Sequence, residues 1–232
     1  MIIDATSFYR QMDDWFNTQA GDRLQAEVVE HIKRLDLFHL SQRFLQIGTC
    51  GHNLWLDVFG FQEAHVVSPI LTPYADVVAQ PYLLPFSNRS MEVVFAPFLF
   101  ESGLQTEPLI HELDRVLQSM GLVVILGFTP IGLWKLSRLF KSKKHYNWYQ
   151  MYPGHSYWSL RSAFRGLDYT QTDTKFFYYI PPFQKKILIS YFDWVDRFSK
   201  LIAPYPPSLF LLVMQKQEPQ FITGHLAKSS FW

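Results

Sequence analysis

Cysteine is nearly missing from this chain. Cys50 stands alone among 232 residues, which excludes an intramolecular disulfide framework and suits a reducing compartment. Charge bias is missing as well. The 21 lysines and arginines face 20 aspartates and glutamates, a formal net charge of +1, so nothing global pulls the chain toward nucleic acid. No run of about 18 uncharged apolar residues occurs, and no spanning helix is expected. Met1-Ile2-Ile3-Asp4 lacks the basic and apolar regions of a signal peptide, which leaves a soluble cytoplasmic protein as the expectation. No serine sits in a G-x-S-x-G elbow, no Walker loop occurs, and the eight histidines show no metal-ligand spacing.

Hydrophobic residues are plentiful, at 48%, enough for the core of one large domain. Residues 7–36 read as helical, with Ala26, Val28, Val29, Ile32 and Leu35 at helical spacing. Strands are expected at Phe44–Gly48, Ala64–Val67, Val77-Val78, Met91–Ala96, Leu122–Phe128, Phe176–Ile180 and Leu209–Gln215. Between them the pattern predicts helices over Leu54–Phe59, Glu107–Ser119, Gly132–Lys141, Ser156–Phe164 and Gln184–Leu201. This alternation predicts an α/β fold, a mostly parallel sheet with helices on both faces and a late antiparallel strand. One domain over residues 1–216 is expected, with a helical extension over 1–40, a core over 41–216 and a tail over 217–232.

The segment Phe44-Leu-Gln-Ile-Gly-Thr-Cys-Gly-His-Asn-Leu-Trp-Leu56 runs from an apolar strand through a tight turn into a helical stretch. A G-x-G-x-G loop at such a turn lets the backbone approach a cofactor. Here the first glycine stands at Gly48, Cys50 and His52 take the next two positions, and Gly51 is out of register.

Two further blocks carry a resemblance. Leu84-Pro85-Phe86-Ser87-Asn88-Arg89-Ser90-Met91-Glu92-Val93-Val94 is one, and His111-Glu112-Leu113-Asp114-Arg115-Val116-Leu117 with Gly121 and the strand to Phe128 is the other. Their order and spacing resemble class I S-adenosylmethionine-dependent methyltransferases, type 11 subgroup. Gly127-Phe128-Thr129-Pro130 and Gly132-Leu133-Trp134 resemble a bacterial subset with an eroded glycine loop. The resemblance implies a Rossmann-like methyltransferase fold with a seven-stranded sheet, S-adenosylmethionine as cofactor and an unknown methyl acceptor. It implies cofactor contacts at Gln46, Gly48, Thr49, Gly51, Ser68, Gln80 and Ala96.

Departures from that pattern cluster on charge. Gln46 replaces an acid two residues before the first glycine. Ser68-Pro69 replaces the carboxylate that binds the ribose hydroxyls, and Gln80 replaces an aspartate that reaches the adenine amine. A hydrogen bond to a charged group contributes about 1.5–3 kcal/mol against about 0.5–1.5 for a neutral one. Losing the ribose carboxylate and neutralising the adenine contact removes about 2–4 kcal/mol, on the order of 30- to 1000-fold in affinity. A methyltransferase-like pseudoenzyme that serves as a binding or scaffolding module is therefore the alternative.

Other candidates are weaker. A lone Cys50 reads as a small apolar residue. His111 stands four residues from Glu107 and from Arg115, which suggests a surface pair, and Arg115 reads as an anchor to neighbouring backbone. Tyr146, Tyr149 and His155 are available on the expected substrate side. Lys135, Arg138, Lys141, Lys143 and Lys144, interleaved with Trp134, Tyr146, Trp148 and Tyr149, suggest either an anionic partner (membrane, nucleic acid or acidic substrate) or a solvated helix face.

Overall fold

The central strands carry apolar residues on both of their faces. In a computed structural model that describes residues 5–35, 43–136, 155–179 and 206–218, seven strands form one sheet. They are β1 (Arg43–Ile47), β2 (Glu63–Ser68), β3 (Val77–Val78), β4 (Met91–Pro97), β5 (Leu117–Phe128), β6 (Tyr169–Phe177) and β7 (Leu209–Lys216), in the order β3-β2-β1-β4-β5-β7-β6. The pairs from β3 to β5 are parallel. β7 runs antiparallel to both β5 and β6. The chain leaves β1 toward β2 and β3, then returns to β4 on the other side. This makes β1/β4 the switch point, outside whose carboxyl ends open α/β sheets bind ligands.

Helices cover both faces. On one lie α1 (Ala5–Phe16), α2 (Gln19–Ile32) and α3 (Leu56–Phe59), packed with Phe44, Val93, Phe95, Leu122 and Val124. On the other lie α4 (Thr106–Val116) and α6 (Tyr157–Arg165), packed with Leu45, Ile47, Val94, Val123 and Ile125. Alternate residues of each central strand thus serve opposite cores, which is why these strands read as continuous apolar runs. A short helix α5 (Leu133–Leu136) follows β5.

The N-terminal helices share this core. Thr18 breaks the expected single helix, and its hydroxyl accepts the Gly21 N–H as a cap. Phe8, Tyr9, Met12 and Phe16 of α1 are fully buried. At about 1.5–3 kcal/mol per buried large side chain, docking α1 contributes on the order of 10 kcal/mol. That is comparable to a whole domain's stability, so α1 is part of the fold.

Three further expectations need correction. Strand β5 starts at Leu117, where the helix was expected to continue to Ser119. Leu117 pairs with Met91, the register then shifts, and Met120 turns left-handed at φ 63°. Strand β6 starts at Tyr169 rather than Phe176 and ends at Phe177. It is an edge strand of mostly polar residues, Thr170, Gln171, Thr172, Asp173 and Thr174 among them, so it carries little apolar signal. Arg115 turns to Glu112 rather than to His111. The predicted helix over Gln184–Leu201 and the end of the basic helix lie outside the described residues.

Arg115 fastens α4 to the Leu84-Pro85-Phe86 turn. Its guanidinium donates to the carbonyls of Leu84 and Phe86, to Asn88 Oδ1, and to Glu112. The Glu112 carboxylate in turn accepts the Leu84 N–H at 2.6 Å. The Arg115 hydrogen bond holds the Glu112 carboxyl below its ordinary range; desolvation opposes this and the Leu84 N–H adds to it. A depressed carboxyl stabilises the fold above its unfolded pKa and loses that contribution as pH falls through the folded value. Denaturant unfolding followed against pH should show this loss on the acid side, and Glu112→Gln should flatten it. Arg115→Ala should cost about 3 kcal/mol, the low end for a broken buried pair because the guanidinium is partly exposed.

Candidate functional site

At the carboxyl end of β1 the backbone turns at Gly48, φ 92°. A Cβ there would stand 3.0 Å from Tyr9 Cε1 and 3.7 Å from Met12 Cε. Gly51 is also left-handed, φ 57°, and a Cβ on it would meet the Phe16 backbone at 3.0 Å. Both glycines therefore make room for α1. Side chains of this helix sit where a bare loop would leave space for a ligand.

The polar groups of the loop are engaged in the same way. Gln46 is fully buried. Its amide donates to Gly48 O at 2.8 Å and to Asn53 Oδ1 at 2.7 Å, and its Oε1 accepts the Trp55 indole N–H at 2.7 Å. A carboxylate at this position has no hydrogens to give and would face two oxygens from inside the core. The uncharged residue is thus required by the loop's own bonding. Asn53, left-handed at φ 49°, also accepts the Cys50 N–H at 2.9 Å.

Asp13 of α1 completes the closure. One carboxylate oxygen accepts the Gly51 N–H at 3.1 Å and the other accepts the Thr72 hydroxyl at 3.2 Å. The carboxylate ties α1 to the glycine loop and to the loop after β2. Gln25 adds a second tie, accepting the Leu54 N–H and donating to Phe16 O. Beside Asp13 a cavity of about 410 Å³ opens between α1 and residues 69–73, with Arg10 and Asp14 on its rim.

Two hydroxyls beside the loop, Tyr9 Oη and Thr49 Oγ1, are buried without a hydrogen bond of normal geometry. Burial pushes the Tyr9 phenol well above its ordinary range, the Ser102 side chain pulls it down, and Cys50 raises it further. The Cys50 thiol is also raised, first by burial and then by Asp13. A buried thiol so shifted is inert.

Sheet register brings several expected residues together. Gly48 N–H bonds Val67 O at 2.7 Å, which sets Gly48 beside Ser68. Gln46 stands opposite Phe95, one residue before Ala96. Ser68 is buried, and its Oγ accepts the Ile70 N–H. Gln80 is exposed two residues beyond β3, next to Ala79, whose N–H bonds Ser68 O. His52 is exposed against Tyr74, with Nε2 and the phenol oxygen 3.1 Å apart. Sequence reading missed Tyr9, Met12, Asp13, Asn53 and Thr72. The spacing of Tyr9, Met12 and Asp13 marks one face of α1, but only the tertiary fold shows that this face meets the glycines.

Lys135 corrects the basic-cluster reading. It is 8% exposed, its ammonium lies 2.5 Å from Glu101 Oε2, and it sits over the Phe128 ring. It is spent inside the fold and offers nothing to an outside anion. Arg138, Lys141, Lys143 and Lys144 lie outside the described residues. Glu101, which also accepts the Phe128 N–H, links the end of β4 to the end of β5.

No protein-family model matches the chain. The uncharacterized protein YafS of Escherichia coli (strain K12) is 29% identical over 141 residues, 60% of this chain and 50% of that protein. The chain thus spans about half the length of the curated relative it matches. Among solved structures, the methyltransferase in complex with the Trm112 methyltransferase activator of Haloferax volcanii aligns with a TM-score of 0.61 at 13% identity, over 94% of this chain and 100% of that one. A SAM-dependent methyltransferase from Archaeoglobus fulgidus gives 0.57 at 15% identity, over 84% and 94%. Phosphoethanolamine N-methyltransferase 2 of Haemonchus contortus, solved with phosphomonomethylethanolamine and S-adenosylhomocysteine, gives 0.56 at 17% identity, over 93% and 59%. The chain has the class I S-adenosylmethionine-dependent methyltransferase fold.

The cofactor of that fold family does not fit this loop as arranged. Tyr9 covers Gly48, Asp13 and Asn53 hold the Gly51 and Cys50 N–H groups, and β2 ends on Ser68 rather than on a carboxylate.

The buried pair at the ends of β4 and β5 gives a separate test. Breaking a buried ion pair from one side costs about 3–5 kcal/mol. Glu101→Gln and Lys135→Met should each destabilise by an amount in that range. The double variant should cost clearly less than their sum, since the partners are coupled. A double-mutant cycle in denaturant measures the difference.

Proposed function

We propose that this chain is an S-adenosylmethionine-dependent methyltransferase of the type 11 kind, acting on an acceptor of unknown identity. One observation carries the reading: a left-handed Gly48 at the carboxyl end of β1, beside the switch point, on a fold shared with such enzymes. Gly48, Thr49 and Gly51 would face the ligand once the loop is bared, and Ser68 and Gln80 would lie along its nucleoside half. Alignment of the two reactants would supply much of any acceleration.

A second reading has an observation of its own. With Tyr9 on Gly48 and Asp13 on the Gly51 N–H, the chain would serve as a methyltransferase-like module that binds or scaffolds without methyl transfer. The YafS likeness supports neither reading over the other, since that relative is itself uncharacterized.

Titration with S-adenosylmethionine and S-adenosylhomocysteine, read by calorimetry and thermal shift, separates the two. Ligand at 100 times its dissociation constant stabilises by about 2.7 kcal/mol, roughly 5–10 °C at this size. The enzyme reading expects that shift in the wild type or in Tyr9→Ala, which bares Gly48. Neither heat nor shift in both proteins at millimolar ligand leaves the non-catalytic module.

A further inference from the structure

The loop at Gly48 is filled by the chain itself. Tyr9 and Met12 occupy the space over Gly48. The Asp13 carboxylate accepts the Gly51 N–H and the Thr72 hydroxyl, so an internal anion takes a donor that a ligand's anionic group could use. Cys50, between these two glycines, is fully buried. These contacts belong to one face of one helix, and they close all of one side of the turn.

We propose that Asp13 is the latch of this closure and Tyr9 its plug: α1 stays docked through its other apolar residues, and a ligand reaches the loop only when these two side chains withdraw. Phe8 and Phe16 are fully buried in the core. Phe16 packs against Trp55 and Phe98, away from Gly48. Thr72 extends the latch to the loop after β2, where the cavity beside Asp13 opens, so release of Asp13 joins that cavity to the glycine turn. The identity of the ligand rests on the methyltransferase reading above; the latch does not.

The single cysteine provides a readout that needs no ligand. Labelling of Cys50 by a small thiol reagent should be slow in the wild type. In Asp13→Ala it should be at least about tenfold faster, the effect expected for losing hydrogen bonds to a charged group. Removing the negative charge would also make the thiol more acidic. Asp13→Asn controls for this, because it drops the charge but keeps an oxygen for the Gly51 N–H, and it should label several-fold more slowly than Asp13→Ala. Circular dichroism confirms that each variant is folded. Should Asp13→Ala not fold, Thr72→Val removes the other end of the same contact and should also speed labelling. In parallel, S-adenosylhomocysteine should bind Tyr9→Ala at least about tenfold more tightly than wild type, since the closed fraction reduces apparent affinity. Equal labelling of wild type and Asp13→Ala, or labelling of Asp13→Asn as fast as Asp13→Ala, overturns the latch. Equal affinity of wild type and Tyr9→Ala for the nucleoside overturns the plug. Fast labelling of Asp13→Ala with no nucleoside binding by any variant supports the latch and sinks the methyltransferase reading.

Discussion

The contact of α1 with the turn at Gly48 is the constraint on which the rest of this site depends. A left-handed turn without a Cβ brings the β1 backbone within reach of whatever lies above it. In this protein that is Tyr9. Once the ring is in place, the loop must satisfy its own donors. Asn53 takes the Cys50 N–H, Asp13 takes the Gly51 N–H, and Gln46 joins Gly48, Asn53 and Trp55 in one buried network. Trp55 then packs edge-on to Phe16 and Phe95, so the polar network and the aromatic core hold each other in position.

Much of the fold could be read from the sequence because its central strands are buried on both faces. Such strands leave unbroken apolar runs, as in Leu122–Phe128 and Leu209–Met214, and short-range pattern is enough to find them. The Glu112 and Arg115 positions were legible for another reason: holding the backbone of the Leu84-Pro85-Phe86 turn takes a carboxylate and a guanidinium. What failed was decided at longer range. β6 is a polar edge strand whose partner lies some 40 residues on, and pairing rather than hydrophobicity makes it a strand. The early start of β5 depends on Met91 opposite Leu117, with a left-handed Met120 that no local propensity favours.

Charge was the least legible part of the site. Lys135 stands in a basic run, and a run of like charge ordinarily marks a solvated surface. Its burial follows from Glu101, 34 positions earlier, in the 3-10 turn that follows β4. Asp13 shows the converse. In sequence it is an ordinary acid of an amphipathic helix, and its partners Gly51 and Thr72 are 38 and 59 residues away. Spacing along one element carries no signal for such pairs.

The departures at Gln46 and Cys50 acquire a common cause once α1 is counted as part of the site. Taken singly, each is the loss of a residue that a cofactor loop employs. Seen against the helix, Gln46 supplies two hydrogens that a carboxylate lacks, and Cys50 is a small buried residue in the apolar core beside Phe16 and Trp55. Random decay of a binding loop would leave donors and acceptors unmet, and each unmet buried group costs about 1–3 kcal/mol. Here Gln46, Asn53 and Asp13 are paired with the loop, and the Thr49 and Tyr9 hydroxyls lack a hydrogen bond of normal geometry. A loop so consistently bonded to its own helix is organised around that closed arrangement.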